Sequence, residues 1–252
     1  QGREFIIAMG GDGTISEVAT GILQSEKSVE LGILPRGTGG DFRRSLNLPK
    51  DLSKAARQLR EGTTRKIDAG RIRYTNNKGK EAVRYFVNTA SFGMSGGVAT
   101  RANESSKKYL GGRLTFAAAT LKSTLTDSNS DVYVQIDQQE KRRMRVASVC
   151  IANGRYWGGG MKIAPDAKLN DGYLDVVMIG DLSVVEKLTK SYRLYSGTHL
   201  SLDKVGFTLG TRIEATPVNG SNPVLIEVDG EAPGQLPATI EVIPGALLIR
   251  CL

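Results

Sequence analysis

With 252 residues, 40% of them apolar, the chain can fill a real core in one large domain or two modest ones. Its 34 basic and 26 acidic residues leave a net charge of +8, scattered rather than gathered into a tail, which favours anionic partners: phosphates, nucleic acid or an acidic lipid surface. Two cysteines, Cys150 and Cys251, exclude a disulfide framework and point to a reducing, cytoplasmic site. Apolar runs such as residues 114–121 fall short of the ~20 residues that cross a bilayer, so any membrane contact is expected to be peripheral.

In chain order, residues 5–9 are a short apolar strand that stops at Gly10-Gly11-Asp12-Gly13-Thr14, after which Ile15, Val18, Ala19, Ile22 and Leu23 recur at helical spacing. A second strand, 31–34, ends at Pro35-Arg36-Gly37-Thr38-Gly39-Gly40-Asp41, ahead of a short helix over 42–46 and an amphipathic helix over 51–61. From residue 65 the pattern changes. Strands over 66–74 and 82–88, with a turn at 76–79, predict a hairpin. Helices are expected over 109–125 and 183–195, and strands over 131–136, 145–152, 174–179, 204–209, 211–217, 225–228, 239–244 and 247–251. The expected fold is α/β plus β: an N-terminal α/β unit over 1–64, and a larger β-rich, antiparallel, sandwich-like unit over 65–252 whose end packs back on the first.

The turn at Gly10 to Thr14 follows a strand and opens a helix, where free N–H groups and the positive helix end can hold a phosphate. A ligand-free strand-to-helix turn is the other reading. Asp12 favours the first, since a carboxylate in a phosphate cradle needs a metal ion or a proton to take up. The loop has neither the ending of a Walker P-loop nor the spacing of a dinucleotide fingerprint.

Gly10-Gly11-Asp12-Gly13-Thr14 resembles the nucleotide loop shared by diacylglycerol, sphingosine and NAD kinases and, more loosely, phosphofructokinases. The segments 34–42, 86–93, 153–175 and Val228-Asp229-Gly230-Glu231 resemble, in order and spacing, the further motifs of the diacylglycerol and sphingosine kinase family, including its Asp-Gly-Glu. The resemblance implies a lipid kinase of phospholipid metabolism that uses ATP and Mg2+ on a diacylglycerol or sphingoid hydroxyl, touches the membrane transiently, binds no nucleic acid and can form a homodimer. A kinase of NAD kinase type and a non-catalytic nucleotide- or lipid-binding module are the alternatives.

Residue by residue, it implies that Gly10, Gly11, Asp12, Gly13, Thr14, Ile15, Ser16 and Thr38 hold ATP, and that Asp12 and Asp41 sit in the magnesium network. Glu231 or Asp229 is implied as proton acceptor; two acids two apart in a strand face one side, although Gly230 also fits an ordinary hairpin turn. A cation site is implied at Asp171 with the backbone oxygens of Lys168 and Tyr173, against the alternative of a plain Asn-Asp-Gly turn. His199, the single histidine, is expected on the surface or in a loop. Two departures stand out. Gly40 replaces an Asn of the pattern, predicting a looser second loop, and the upstream Asn-Pro-x-Gly segment of relatives has no counterpart, predicting a truncated α/β unit.

Overall fold

The computed structural model describes residues 4–25, 27–106 and 112–251, and of residues 103–106 and 112–118 the backbone alone. Strand β1 (Phe5–Gly10) runs into helix α1 (Asp12–Ser25), whose buried face, Ile15, Ala19 and Ile22, follows the spacing seen in the sequence. Strand β2 (Glu30–Pro35) lies parallel to β1, and helices α2 (Asp41–Ser45) and α3 (Leu52–Glu61) follow. Asp51 caps α3 by accepting the Lys54 N–H at 2.9 Å.

Strands β3 (Thr63–Asn76) and β4 (Glu81–Phe86) form the expected hairpin, and β5 (Thr89–Gly93) follows after a break at Val87-Asn88. Helix α4 (Met94–Ser106) was not legible in the sequence. The helix expected over 109–125 is α5 (Gly112–Thr126), with 109–111 outside the described residues. Strands β6 (Ser130–Ile136), β7 (Arg142–Ala152) and β8 (Leu174–Gly180) precede two short helices, α6 (Val184–Lys190) and α7 (Tyr192–Ser196), where one helix was expected. Strands β9 (Val205–Gly210), β10 (Arg212–Pro217), β11 (Leu225–Val228) and β12 (Glu231–Cys251) complete the chain.

The two strands expected over 239–244 and 247–251 are one. Pro244-Gly245 makes a bulge rather than a stop, because the Gly245 N–H is taken by Asp68 Oδ1 at 2.7 Å while the ladder to β3 resumes at Leu247. Along one edge β12 pairs with β3 over nearly its whole length; along the other it meets β11, then β10, then β2 in parallel at Leu248 and Ile249. The path β12-β10-β6-β7-β5-β11 therefore returns to β12 and closes on itself. One core fills this ring, with Phe86, Phe92, Ile151, Leu174, Ile213 and Ile226 at its centre. A second core joins α1, β2 and α2 to Leu247, Ile249 and Cys251, so the end of the chain packs against its beginning.

Candidate active site

Between these two cores the glycine loops meet backbone to backbone. A Cβ on Gly37 would stand 2.4 Å from Gly11 Cα, so only glycine allows the approach. Arg36 N–H donates to Gly10 O at 2.7 Å and fixes the spacing. Within α1 the first backbone bond runs from Ile15 N–H to Gly11 O, which leaves the N–H groups of the helix start without helical acceptors.

Asp12 does something its position in the sequence did not reveal. Its Oδ2 accepts the N–H of Gly40 at 2.7 Å and of Asp41 at 3.3 Å, and its Oδ1 that of Phe42 at 3.1 Å. The first loop thus caps the helix of the second. Gly40, at φ 70°, takes up the left-handed turn there, and three anchored N–H groups replace the looseness expected from the missing Asn. Asp41 is held by the Gly159 N–H and Arg44, each at 2.7 Å. Burial raises its pKa and the nearby Asp12 charge adds to this, against the Gly159 and Arg44 bonds.

From the opposite side comes the β11–β12 turn. Asp229 (φ 46°) and Gly230 (φ 90°) are both left-handed, and Val228 pairs with Glu231 across them, the geometry of a two-residue hairpin. The Asp229 carboxylate is buried and gathers the N–H groups of Val87 at 3.0 Å, Asn88 at 3.1 Å and Thr89 at 2.9 Å, which accounts for the break between β4 and β5. Burial pushes its pKa up, while these bonds and the neighbouring Ser16 hydroxyl of α1 favour the charged form. Glu231 does not share its direction. The turn intervenes, and Glu231 pairs instead with Arg84 at 2.8 Å, outside the cavity.

That cavity, of about 760 Å³, is lined by Asp12, Thr38, Gly39 and Asp41, by Asn88 and Asp229, and by apolar side chains that include Val98, Leu188 and Leu194. Of the residues expected to hold ATP, Asp12 and Thr38 line it; Gly10, Gly11, Gly13, Thr14, Ile15 and Ser16 do not, and touch the site through Asp12 and through Ser16's approach to Asp229. His199 is a correction: it is buried, its Nε2 lies 3.0 Å from Ile163 O, and it lines the cavity, with burial lowering its pKa.

Sequence reasoning missed Glu227. It lines the cavity one turn of the pleat before Asp229, buried, with Ser91 Oγ and Trp157 Nε1 donating to Oε2 and Gly230 N–H to Oε1. Burial chiefly pushes its pKa to about 7; the Asp229 charge adds, and the three neutral donors oppose. A lone acid in the apolar run Leu225-Ile226-Glu227-Val228 was the available signal.

Asp171, Lys168 and Tyr173 lie away from the cavity, all exposed. Asp171 Oδ1 accepts the Tyr173 N–H at 3.1 Å, and Gly172, at φ 76°, donates to Asp68 Oδ2, so local bonds explain this turn without a ligand. Burial first, then the charges of Asp171 and Asp166, raises Asp175 beside it to about 7. Among the described residues no cluster of three His, Cys, Asp or Glu side chains could hold a metal.

Two glycine loops and a buried acid thus border one cavity, an arrangement that suits a phosphate-bearing ligand. Residues 1–72 match the diacylglycerol kinase catalytic domain, and residues 88–251 the YegS C-terminal NAD kinase beta sandwich-like domain. The chain is 31% identical over 242 residues to a diacylglycerol kinase of Bacillus subtilis, covering 93% of this chain and 74% of the relative, and 29% identical over 252 residues to one of Mycobacterium tuberculosis, covering 99% and 77%. The fold is shared with a solved diacylglycerol kinase from Bacillus anthracis (TM-score 0.71, 20% identity, 99% of this chain and 76% of that one) and with yeast NADH kinase (TM-score 0.53, 13% identity, 98% and 60%). This chain belongs to the diacylglycerol kinase family and is a diacylglycerol kinase-like lipid kinase.

Proposed function

We propose that the protein transfers the γ-phosphoryl group of ATP to the hydroxyl of a diacyl or sphingoid lipid held in the cavity, with Asp229 as proton acceptor. One observation carries this reading: a single cavity joins the loop carboxylates to Asp229 and then to an apolar chamber sized for a lipid tail. The α1 N-terminus and Thr38 receive the triphosphate on one wall. The lipid hydroxyl lies against Asp229 on the other; its oxygen forms the new bond to phosphorus as the bond to ADP breaks, and its proton passes to the carboxylate. The N–H groups of Val87, Asn88 and Thr89 hold that carboxylate in place.

Asp12 and Asp41 supply two hard oxygen donors at the cavity wall, which suits magnesium, an ion that keeps several waters. Both already accept hydrogen bonds, so the fit is to an ion held partly through water, and it would neutralise phosphate charge. No helix among the described residues is long and apolar enough to cross a bilayer.

The test offers ATP and magnesium with dioctanoylglycerol, sphingosine or NAD. A lipid acceptor is phosphorylated, Asp229→Asn lowers kcat about 10²–10⁴-fold, and Glu231→Gln changes it less than about tenfold. Phosphorylation of NAD alone would instead favour a soluble-nucleotide kinase, and ATP binding without any transfer a binding module. Larger loss in Glu231→Gln than in Asp229→Asn would reverse the assignment of the base.

A further inference from the structure

Large apolar side chains are normally scattered singly over a surface, and a contiguous group of them implies a partner. Six gather here on three adjoining helices: Leu121 and Leu125 on α5, Val185 and Leu188 on α6, Tyr192 and Tyr195 on α7, each between 44% and 68% exposed. Helix α5 packs on α6, and α6 on α7. Leu121, Leu188 and Tyr195 also line the cavity, so the exposed patch is the outer lip of the chamber, where Glu186, Lys187, Lys190 and Ser191 stand among the apolar side chains.

We propose that this lip is the surface on which the protein seats itself on an anionic bilayer. The inference rests on the reading of the cavity as the lipid site. A lipid leaving the leaflet across open water would expose its chains; a lip pressed into the boundary between headgroups and acyl chains lets it slide directly into the apolar chamber. The same continuity argues against a protein partner, which would plug the entrance while seated there. Composition agrees. Two tyrosines present apolar rings with polar tips, the pattern of interfacial anchoring; Lys122 is exposed beside Leu121, and Lys187 stands at the cavity mouth, their charge complementary to acidic headgroups, while Lys190 is paired with Glu186 at 3.1 Å. The helices are short, 7 residues for α6 and 5 for α7, so the surface rests on the membrane without entering it deeply.

Leu125, Val185 and Tyr192 lie on the lip but outside the cavity lining, which makes a clean variant possible. The full chain carrying Leu125→Ser, Val185→Ser and Tyr192→Ser is compared with the wild type by co-sedimentation with phosphatidylcholine vesicles, with and without phosphatidylglycerol, after melting curves confirm that both fold. Binding to the mixed vesicles is expected to fall about tenfold or more. Turnover of monomeric dioctanoylglycerol is expected to stay within about twofold, while turnover of long-chain lipid in vesicles falls with binding. The proposal is overturned if the wild type binds no vesicles, if the variant binds as well, or if the patch proves to hold two copies of the chain together in solution. Sedimentation needs no turnover. A protein that docks through this lip yet phosphorylates no lipid would sink the catalytic reading and leave the docking surface standing.

Discussion

Asp12 and Glu227 show how differently two acids of one cavity can be written in a sequence. Asp12 is visible because it interrupts a run of glycines between a strand and a helix, and the expectation of a phosphate cradle around it follows from that setting. What cannot be read is that its oxygens also fasten Gly40, Asp41 and Phe42, since those partners are 28 to 30 residues away. Asp229 is legible only through its motif, and its neighbour Glu231 lies past a turn, where the alternation of a continuous strand no longer holds. Glu227 hid in an apolar strand and is held by neutral donors from Ser91, Trp157 and Gly230. Its pKa rises from 4.5 to about 7 on folding, so between those values the folded chain holds the extra proton. Stability from this group is therefore complete below pH 4.5 and lost as pH rises through about 7, by ~3 kcal/mol at most. Glu227→Gln removes that loss: the difference in Tm between variant and wild type should move in the variant's favour from pH 5 to pH 8, roughly the window the shift defines. A difference that stays flat across this range would show that Glu227 keeps one protonation state.

At the level of elements, the periodic ones were readable and those shaped by close approach were not. Helices α1 and α3 keep an apolar face at helical spacing, and the β3–β4 hairpin has its turn residues. Helix α4 contains Gly96-Gly97, and a Cβ on Gly96 would stand 2.5 Å from the Leu225 backbone, so packing against β11 demanded the residues that erase the helical signal. The meeting of the two loops obeys the same constraint. Gly37→Ala places a methyl group against Gly11 Cα, a backbone atom that cannot swing aside, and the loops must part. The expected cost is ~1–3 kcal/mol of stability and, on the proposed reading of the loops as the triphosphate site, an increase of about tenfold or more in KM for ATP. Gly13 serves as the control, because a methyl group added there would meet nothing within 4 Å: Gly13→Ala should leave the Tm nearly unchanged. Equal losses in both variants would remove the argument from loop contact.

At the scale of the whole molecule, β-rich character could be counted from the sequence, but the closed path through β12 could not, because every pairing that makes it is distant in the chain. The decisive element is β12. Its first half closes the ring beside the Asp229 turn, and its last residues enter the core of α1 and β2, with Ile249 paired to Leu31 and fully buried. The two cores are thus joined by one strand. Ile249→Ala removes buried methyl groups where neighbours on β2 and β3 cannot collapse into the gap, at a cost of ~2–5 kcal/mol. If β12 couples the two cores, this substitution in the second should lower the melting temperature reported by Trp157, which packs beside the ring, as much as that reported by far-ultraviolet circular dichroism. A variant in which Trp157 fluorescence keeps its original midpoint while part of the dichroism melts early would show that the cores unfold independently. The cleft between them would then owe its shape to contact alone, and not to a shared strand.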